Sequence, residues 1–244
     1  VVQRIRIRYA KRGRLRFTSH RDFARAFERA IRRAGVPIAY SQGFTPHPKI
    51  SYASAAPTGV ASEAEYLEIG LQQRVDPAAV RAALDASLSP GLDVLEAVEA
   101  GPGPLADRID ASRWRVELPG VTGEALRHAV AAFEAAAEVP VERLTKQGRR
   151  TLDVRSPVVK IEALAVPDGV TGTPCAILDL VVRLVSPTVR PDDVLSGLHA
   201  VAGLVPPVPP QATRTAQGAL TAQGEIVDPL GADREGATSG TPPV

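Results

Sequence analysis

Val2-Gln3-Arg4-Ile5-Arg6-Ile7-Arg8-Tyr9 alternates between polar, mostly arginine, residues and apolar or ring-bearing ones. A period of two puts the branched residues on one face of a strand and the arginines on the other. Lys11-Arg12-Gly13 reads as a turn, and Arg14-Leu15-Arg16-Phe17 resumes the alternation as a short strand. The expectation is a row of four exposed arginines, suited to tracking a phosphate backbone.

Downstream, Ser19-His20-Arg21-Asp22 has the pattern of a capping box, with Asp in place of the usual Glu. Phe23, Ala26, Phe27, Ala30, Ile31 and Ala34 then recur at helical spacing. Arg21, Arg25, Arg29, Arg32 and Arg33 take much of the opposite face, and Gly35 is the stop. Residues 36–40, 50–53 and 64–71 read as strands. Between the first two lies Ser41-Gln42-Gly43-Phe44-Thr45-Pro46-His47-Pro48-Lys49. It cannot be regular structure, because Gly43 permits unusual φ and Pro46 and Pro48 fix φ and lack donors. Pro57-Thr58-Gly59 is a turn. Asp76-Pro77 is an N-cap followed by proline at the first helical position, and residues 92–98 form a last strand. The order is β-α-β-β-α-β, the ferredoxin-like order.

Gly101-Pro102-Gly103-Pro104 marks a linker over 101–110. The pattern then repeats in degenerate form across 111–221. Strands are expected at 113–118, 175–185 and 211–220, and helices at 124–138 and 191–203. A hairpin is expected around Lys146-Gln147-Gly148-Arg149, and residues 156–166 are ambiguous between helix and strand. Residues 222–244 are rich in Gly, Pro, Ser, Thr and acids and read as a disordered tail. The predicted architecture is α+β, two tandem ferredoxin-like domains over 1–100 and 111–221.

The 244 residues are 44% hydrophobic, 23% charged and only 4% aromatic, so the core must be aliphatic. No apolar run reaches the ~20 residues that span a bilayer, and no leader pattern precedes the first strand. Cys175 is the single cysteine, which excludes an intrachain disulfide. These features favour the cytoplasm. The net charge of +2 conceals an asymmetry. Residues 1–50 hold thirteen Lys/Arg against Asp22 and Glu28, a net of +11, and the remainder carries a net of −9. A localised basic block points to phosphate, and so to RNA as the partner class. The alternative is a solvated face paired with acids elsewhere.

His20 sits at a helix start, where the dipole disfavours imidazolium. A neutral histidine beside bound phosphate could act as general base towards a ribose 2′-OH. It could equally be a helix-terminal residue bonded to Asp22 or to backbone. Phe44 could stack on a base or plug the core, His47 sits in a stiff loop, and Lys49 could reach a phosphate. Glu63, Glu65 and Glu68 surround Tyr66 on a strand, either as an acid pair or as partners for the arginines. The histidines and Cys175 lack metal-ligand spacing, so neither metal nor cofactor is expected. Phosphate-loop, dinucleotide and nucleophile-elbow motifs are missing.

Several motifs in order resemble the radical-SAM-linked, or radical-SAM-associated, family of uncharacterised proteins. They are Arg6-Ile7-Arg8-Tyr9, Phe17-Thr18-Ser19-His20-Arg21-Asp22, Ser41-Gln42-Gly43-Phe44-Thr45-Pro46-His47-Pro48-Lys49-Ile50-Ser51-Tyr52 and Gly59-Val60-Ala61-Ser62-Glu63-Ala64-Glu65-Tyr66. Arg21 stands where that family's pattern usually has an apolar residue. In that family the domain is fused behind a radical-SAM domain or encoded separately, so the resemblance implies a radical-SAM enzyme as a partner. Cys175 alone cannot hold the [4Fe–4S] cluster such chemistry needs. By analogy of fold alone, tandem ferredoxin-like domains with a basic face also occur in RNA-processing proteins of CRISPR systems.

The leading expectation is an RNA-binding accessory protein that presents RNA to a radical-SAM modification enzyme or acts in tRNA or rRNA maturation. Nucleic acid would meet Arg4, Arg6, Arg8, Arg14, Arg16, Arg25, Arg29, Phe44, His47 and Lys49. Ser19, Asp22, Gly43, Pro46, Pro48, Gly59, Glu63, Glu65 and Tyr66 would shape the site. The alternatives are a metal-independent ribonuclease using His20, and an interaction module docking a radical-SAM partner through the acidic second half.

Overall fold

The computed structural model describes residues 1–145, 148–164 and 174–239. The chain is a mixed α+β protein with antiparallel strand pairing, and it forms two compact units. One joins Val1–Ile109 to the chain from Val227, and the other is Asp110–Ile226.

In the first unit the order is β1 (Gln3–Lys11), α1 (His20–Arg33), β2 (Ile50–Ala53), β3 (Ala61–Leu71), α2 (Pro77–Ser87) and β4 (Val94–Glu99). The strands lie in the order β4-β1-β3-β2, each pair antiparallel. Arg6 stands opposite Glu68 and Val98, while Ile7 stands opposite Leu67 and Ala97. Ile5, Ile7 and Tyr9 therefore share the face that meets Phe23, Phe27 and Ile31 of α1 in one buried core. The Tyr9 and Phe23 rings stack with centroids 4.4 Å apart. Each large side chain buried there contributes roughly 1.5–3 kcal/mol. At the start of α1, Ser19 Oγ accepts from the Asp22 amide at 3.2 Å and donates to the Asp22 carboxylate at 2.7 Å. Asp76 caps α2 by accepting from the Ala78 amide at 3.1 Å.

The second unit runs β5 (Ala111–Pro119), α3 (Gly123–Ala135), β6 (Pro140–Thr145), β7 (Gly148–Asp153), β8 (Val158–Leu164), β9 (Cys175–Arg183), α4 (Pro191–Ala202) and β10 (Gln211–Leu220). Its sheet has the order β10-β5-β9-β8, and β6 and β7 form a separate antiparallel pair. Trp114, Leu118, Phe133, Leu178 and Leu198 are buried in its core. The region ambiguous in sequence is strand β8. Lys146, Gln147 and residues 165–173 lie outside the described residues, so the expected 146–149 turn is covered only in part.

Four expectations are corrected. Residues 14–17 form no strand. Gly13–Phe17 is a 3-10 helix, closed by the Leu15 amide on Arg12 O at 3.0 Å and the Thr18 amide on Leu15 O at 2.9 Å. Residues 36–40 make only isolated bridges, Ile38 with Leu71 and Tyr40 with Pro48, because Pro37 within the segment and Pro48 opposite it lack the N–H a ladder needs. The 101–110 segment is no free linker: Leu105 is buried, and Leu105–Arg108 is a 3-10 helix. The expected tail is ordered in its described part, with β11 (Ile226–Val227) and α5 (Gly231–Ser239). Leu230 is fully buried and Asp233 nearly so, which ties this segment to the first unit. Residues 240–244 lie outside the described residues.

Candidate nucleic-acid interface

The alternation of β1 does place Arg4, Arg6 and Arg8 on one face, but that face is not free. Arg6 is 0% exposed. Its Nε donates to Glu68 at 2.9 Å, and its Nη1 donates to both carboxylate oxygens of Asp233 at 3.0 and 2.9 Å. Its Nη2 donates to Gly103 O. Asp233 also holds Arg108 at 3.0 Å and accepts from the Gly101 amide at 2.9 Å. Arg4 pairs with Glu68 at 3.3 Å, and the half-buried Arg8 donates to Glu63 O at 2.9 Å. The expected exposed row therefore fails in its middle. Alternation gives the face a residue occupies, and α5 together with the 101–104 segment decides that this face is covered.

The exposed cationic row lies on α1 instead. Arg21, Arg25, Arg29 and Arg32 are exposed. At 3.6 residues per turn they fall within about 80° of arc and span about 16 Å of helix. They point directly away from Phe23, Phe27, Ala30 and Ile31, the residues α1 buries. Among the described residues no ion pair reaches these four, nor Arg14, Arg16 or Lys49. Arg33 differs, since it donates to Ser87 O. Arg16 lies over the Phe17 ring at 4.7 Å, and its carbonyl accepts from the Gly59 amide at 2.8 Å. Gly59 has φ +91°, a left-handed conformation that suits glycine.

The loop before β2 is clasped at its neck. The Ser41 amide donates to His47 O at 2.8 Å, and the His47 amide donates to Ser41 Oγ at 2.9 Å. Below the clasp, the Lys49 amide donates to Ala39 O at 2.8 Å. Pro46 and Pro48 follow, and Gly43 has φ +131°. Phe44, next to Gly43, has a relative exposure of 111%, so it does not plug the core. Tyr40, His47 and Lys49 are exposed as well.

His20 is exposed at the first position of α1, and its ring meets Tyr52 edge-on at 4.8 Å. Among the described residues no hydrogen bond or ion pair holds its imidazole. It therefore lacks the orienting partner that a general base normally has. Tyr52 was not singled out as a site residue from the sequence. Its signals there are its place in a short strand following the loop and its position at the end of the motif that begins at Ser41. Its hydroxyl is buried with no hydrogen-bond partner among the described residues. Burial, and then the charge of Glu28, push its pKa well above the ordinary phenol value.

The acids beside Tyr66 have separate partners. Glu63 takes Arg12 at 2.7 and 2.5 Å, and Arg12 also reaches Asp93 at 2.7 Å. The Glu63 hydrogen bond, with smaller help from Asp93, outweighs burial and raises the Arg12 pKa above its ordinary value. Glu65 is buried and accepts from the Ala56 amide at 3.0 Å. Tyr66 is buried too. Among the described residues no cluster of three His, Cys, Asp or Glu could hold a metal ion, and no helix is long and apolar enough to cross a membrane.

Residues 4–191 match a family described as "uncharacterized protein conserved in bacteria" (DUF2344), and the chain belongs to that family. No curated protein matches the chain.

Proposed function

We propose that this member of the DUF2344 family is an RNA-binding accessory protein whose contact surface is α1 and the 40–49 loop. The observation that carries the reading is the row Arg21, Arg25, Arg29 and Arg32, exposed and without ion pairs among the described residues. Exposed guanidinium groups left without protein acids suit phosphate, which they bind bidentately. Arg14, Arg16 and Lys49 extend the same field. The strand orders β4-β1-β3-β2 and β10-β5-β9-β8 support taking both units as ferredoxin-like. A cytoplasmic setting and a separate radical-SAM enzyme as recipient of the RNA belong to this proposal, and rest on composition and resemblance.

The test is ultraviolet crosslinking of the purified protein to a labelled RNA pool at low salt in EDTA. Crosslinks are expected with wild type and are lost when Arg21, Arg25, Arg29 and Arg32 are all changed to Gln. Absence of crosslinks with folded wild type overturns the proposal. The same reactions address a second reading, favoured by the exposure of His20 beside these arginines. Cleavage in EDTA by wild type and not by His20→Ala would make the protein a metal-independent ribonuclease.

A further inference from the structure

We infer that the ligand of this surface is unpaired RNA, with a base stacked on Phe44 and the neighbouring phosphates held along α1. This rests on the RNA-binding reading above and narrows it to single strands.

A phenylalanine left wholly in water contributes nothing to the fold. The chain has only five Phe residues, and it spends one at the most exposed point of a clasped loop. The loop does not hold Phe44 loosely. Two hydrogen bonds between Ser41 and His47 close its neck, the Tyr40–Pro48 bridge lies below them, and two prolines stiffen the return. A ring presented this way loses little freedom when a ligand covers it. Tyr40 and His47 are also exposed, so one short loop presents three flat rings with Lys49 at its foot. The flanking Gln42, Thr45, His47 and Lys49 are polar, which is unlike the contiguous apolar patch of a protein-docking site.

Base faces inside a duplex are already stacked on one another, whereas an unpaired nucleotide offers a free face. The backbone follows from the helix. Successive arginines one turn apart are about 6 Å apart along the axis, close to the separation of phosphates along one strand. The strand that the loop leads into lies against the start of the helix, because Tyr52 of β2 packs against both His20 and Phe23 of α1.

The test compares a fluorescein-labelled 12-nucleotide RNA with its blunt duplex by anisotropy, using wild type and Phe44→Ala. Wild type is expected to bind the single strand at least tenfold more tightly. Phe44→Ala is expected to lose about 5- to 140-fold on the single strand, which is the ~1–3 kcal/mol of one stacked base at 1.4 kcal/mol per decade. Its melting temperature is expected to stay unchanged, which separates lost stacking from lost folding. Equal binding of both forms by wild type, or undiminished single-strand binding by Phe44→Ala, overturns this inference and leaves the RNA reading standing. Binding to neither form by wild type overturns both.

Discussion

Changing Asp233 to Ala removes the carboxylate that closes α5 over β1. That carboxylate receives Arg6 at 3.0 and 2.9 Å, Arg108 at 3.0 Å and the Gly101 amide at 2.9 Å. Both the Arg6 and Asp233 side chains are almost fully buried, at 0% and 1% exposure. Breaking a buried ion pair by deleting one partner costs about 3–5 kcal/mol, because the other charge remains in low dielectric. Arg6 keeps Glu68 at 2.9 Å, so the loss falls near the low end, about 3 kcal/mol. For a chain of this size that corresponds to a fall in Tm of about 6–12 °C. Circular dichroism melts of wild type, Asp233→Ala and Asp233→Asn measure it, with Asn intermediate because it keeps an acceptor and loses the charge. Amide exchange along β1 should accelerate in parallel. A fall in Tm of less than about 2 °C would show that α5 does not clamp Arg6.

Tyr52→Phe removes a buried hydroxyl that has no partner among the described residues, and should stabilise the protein by about 1 kcal/mol in urea denaturation. A loss of that size would mean that the hydroxyl is bonded. Asp153 gives a pH signature. Burial raises its pKa, but hydrogen bonds from Ser156 and from the amides of Val139, Arg155 and Ser156 outweigh that and hold it at about 2. A depressed carboxylate stabilises the fold above its unfolded pKa of about 3.9, and this stability drains away as pH falls from there through 2. Denaturation midpoints should therefore drop across that window in wild type and change less in Asp153→Asn. Phe27→Ala should cost about 3–5 kcal/mol in the same assay, since Phe27 is fully buried under α1.

Much of the first unit was legible from local pattern. Ile5, Ile7, Phe23 and Phe27 announced their faces by period, and Ser19 and Asp76 announced their helix starts by capping chemistry. Coverage was not legible. Arg6 has the same alternation whether its face is open to water or closed, and closure depends on Asp233, more than two hundred residues away. The tail looked disordered because its composition is polar, yet Leu230, Asp233 and Arg234 dock it. Residues 14–17 misled because two arginines and two apolar residues also fit one tight helical turn. The basic face of α1 was visible by its spacing. Its importance relative to β1 emerged only once the ion pairs were assigned.

The central claim is that α1, and not β1, carries the phosphate contacts. It is tested most directly by RNA affinity as a function of salt. Four phosphate contacts to a single strand contribute about −2.8 to the slope of log K against log salt. The account predicts that changing Arg21, Arg25, Arg29 and Arg32 to Gln flattens the slope by about 2.8, leaving the share that Arg14, Arg16 and Lys49 supply, while Arg4→Gln leaves it within about 0.7, one contact, of wild type. A quadruple variant that keeps the wild-type slope would contradict it.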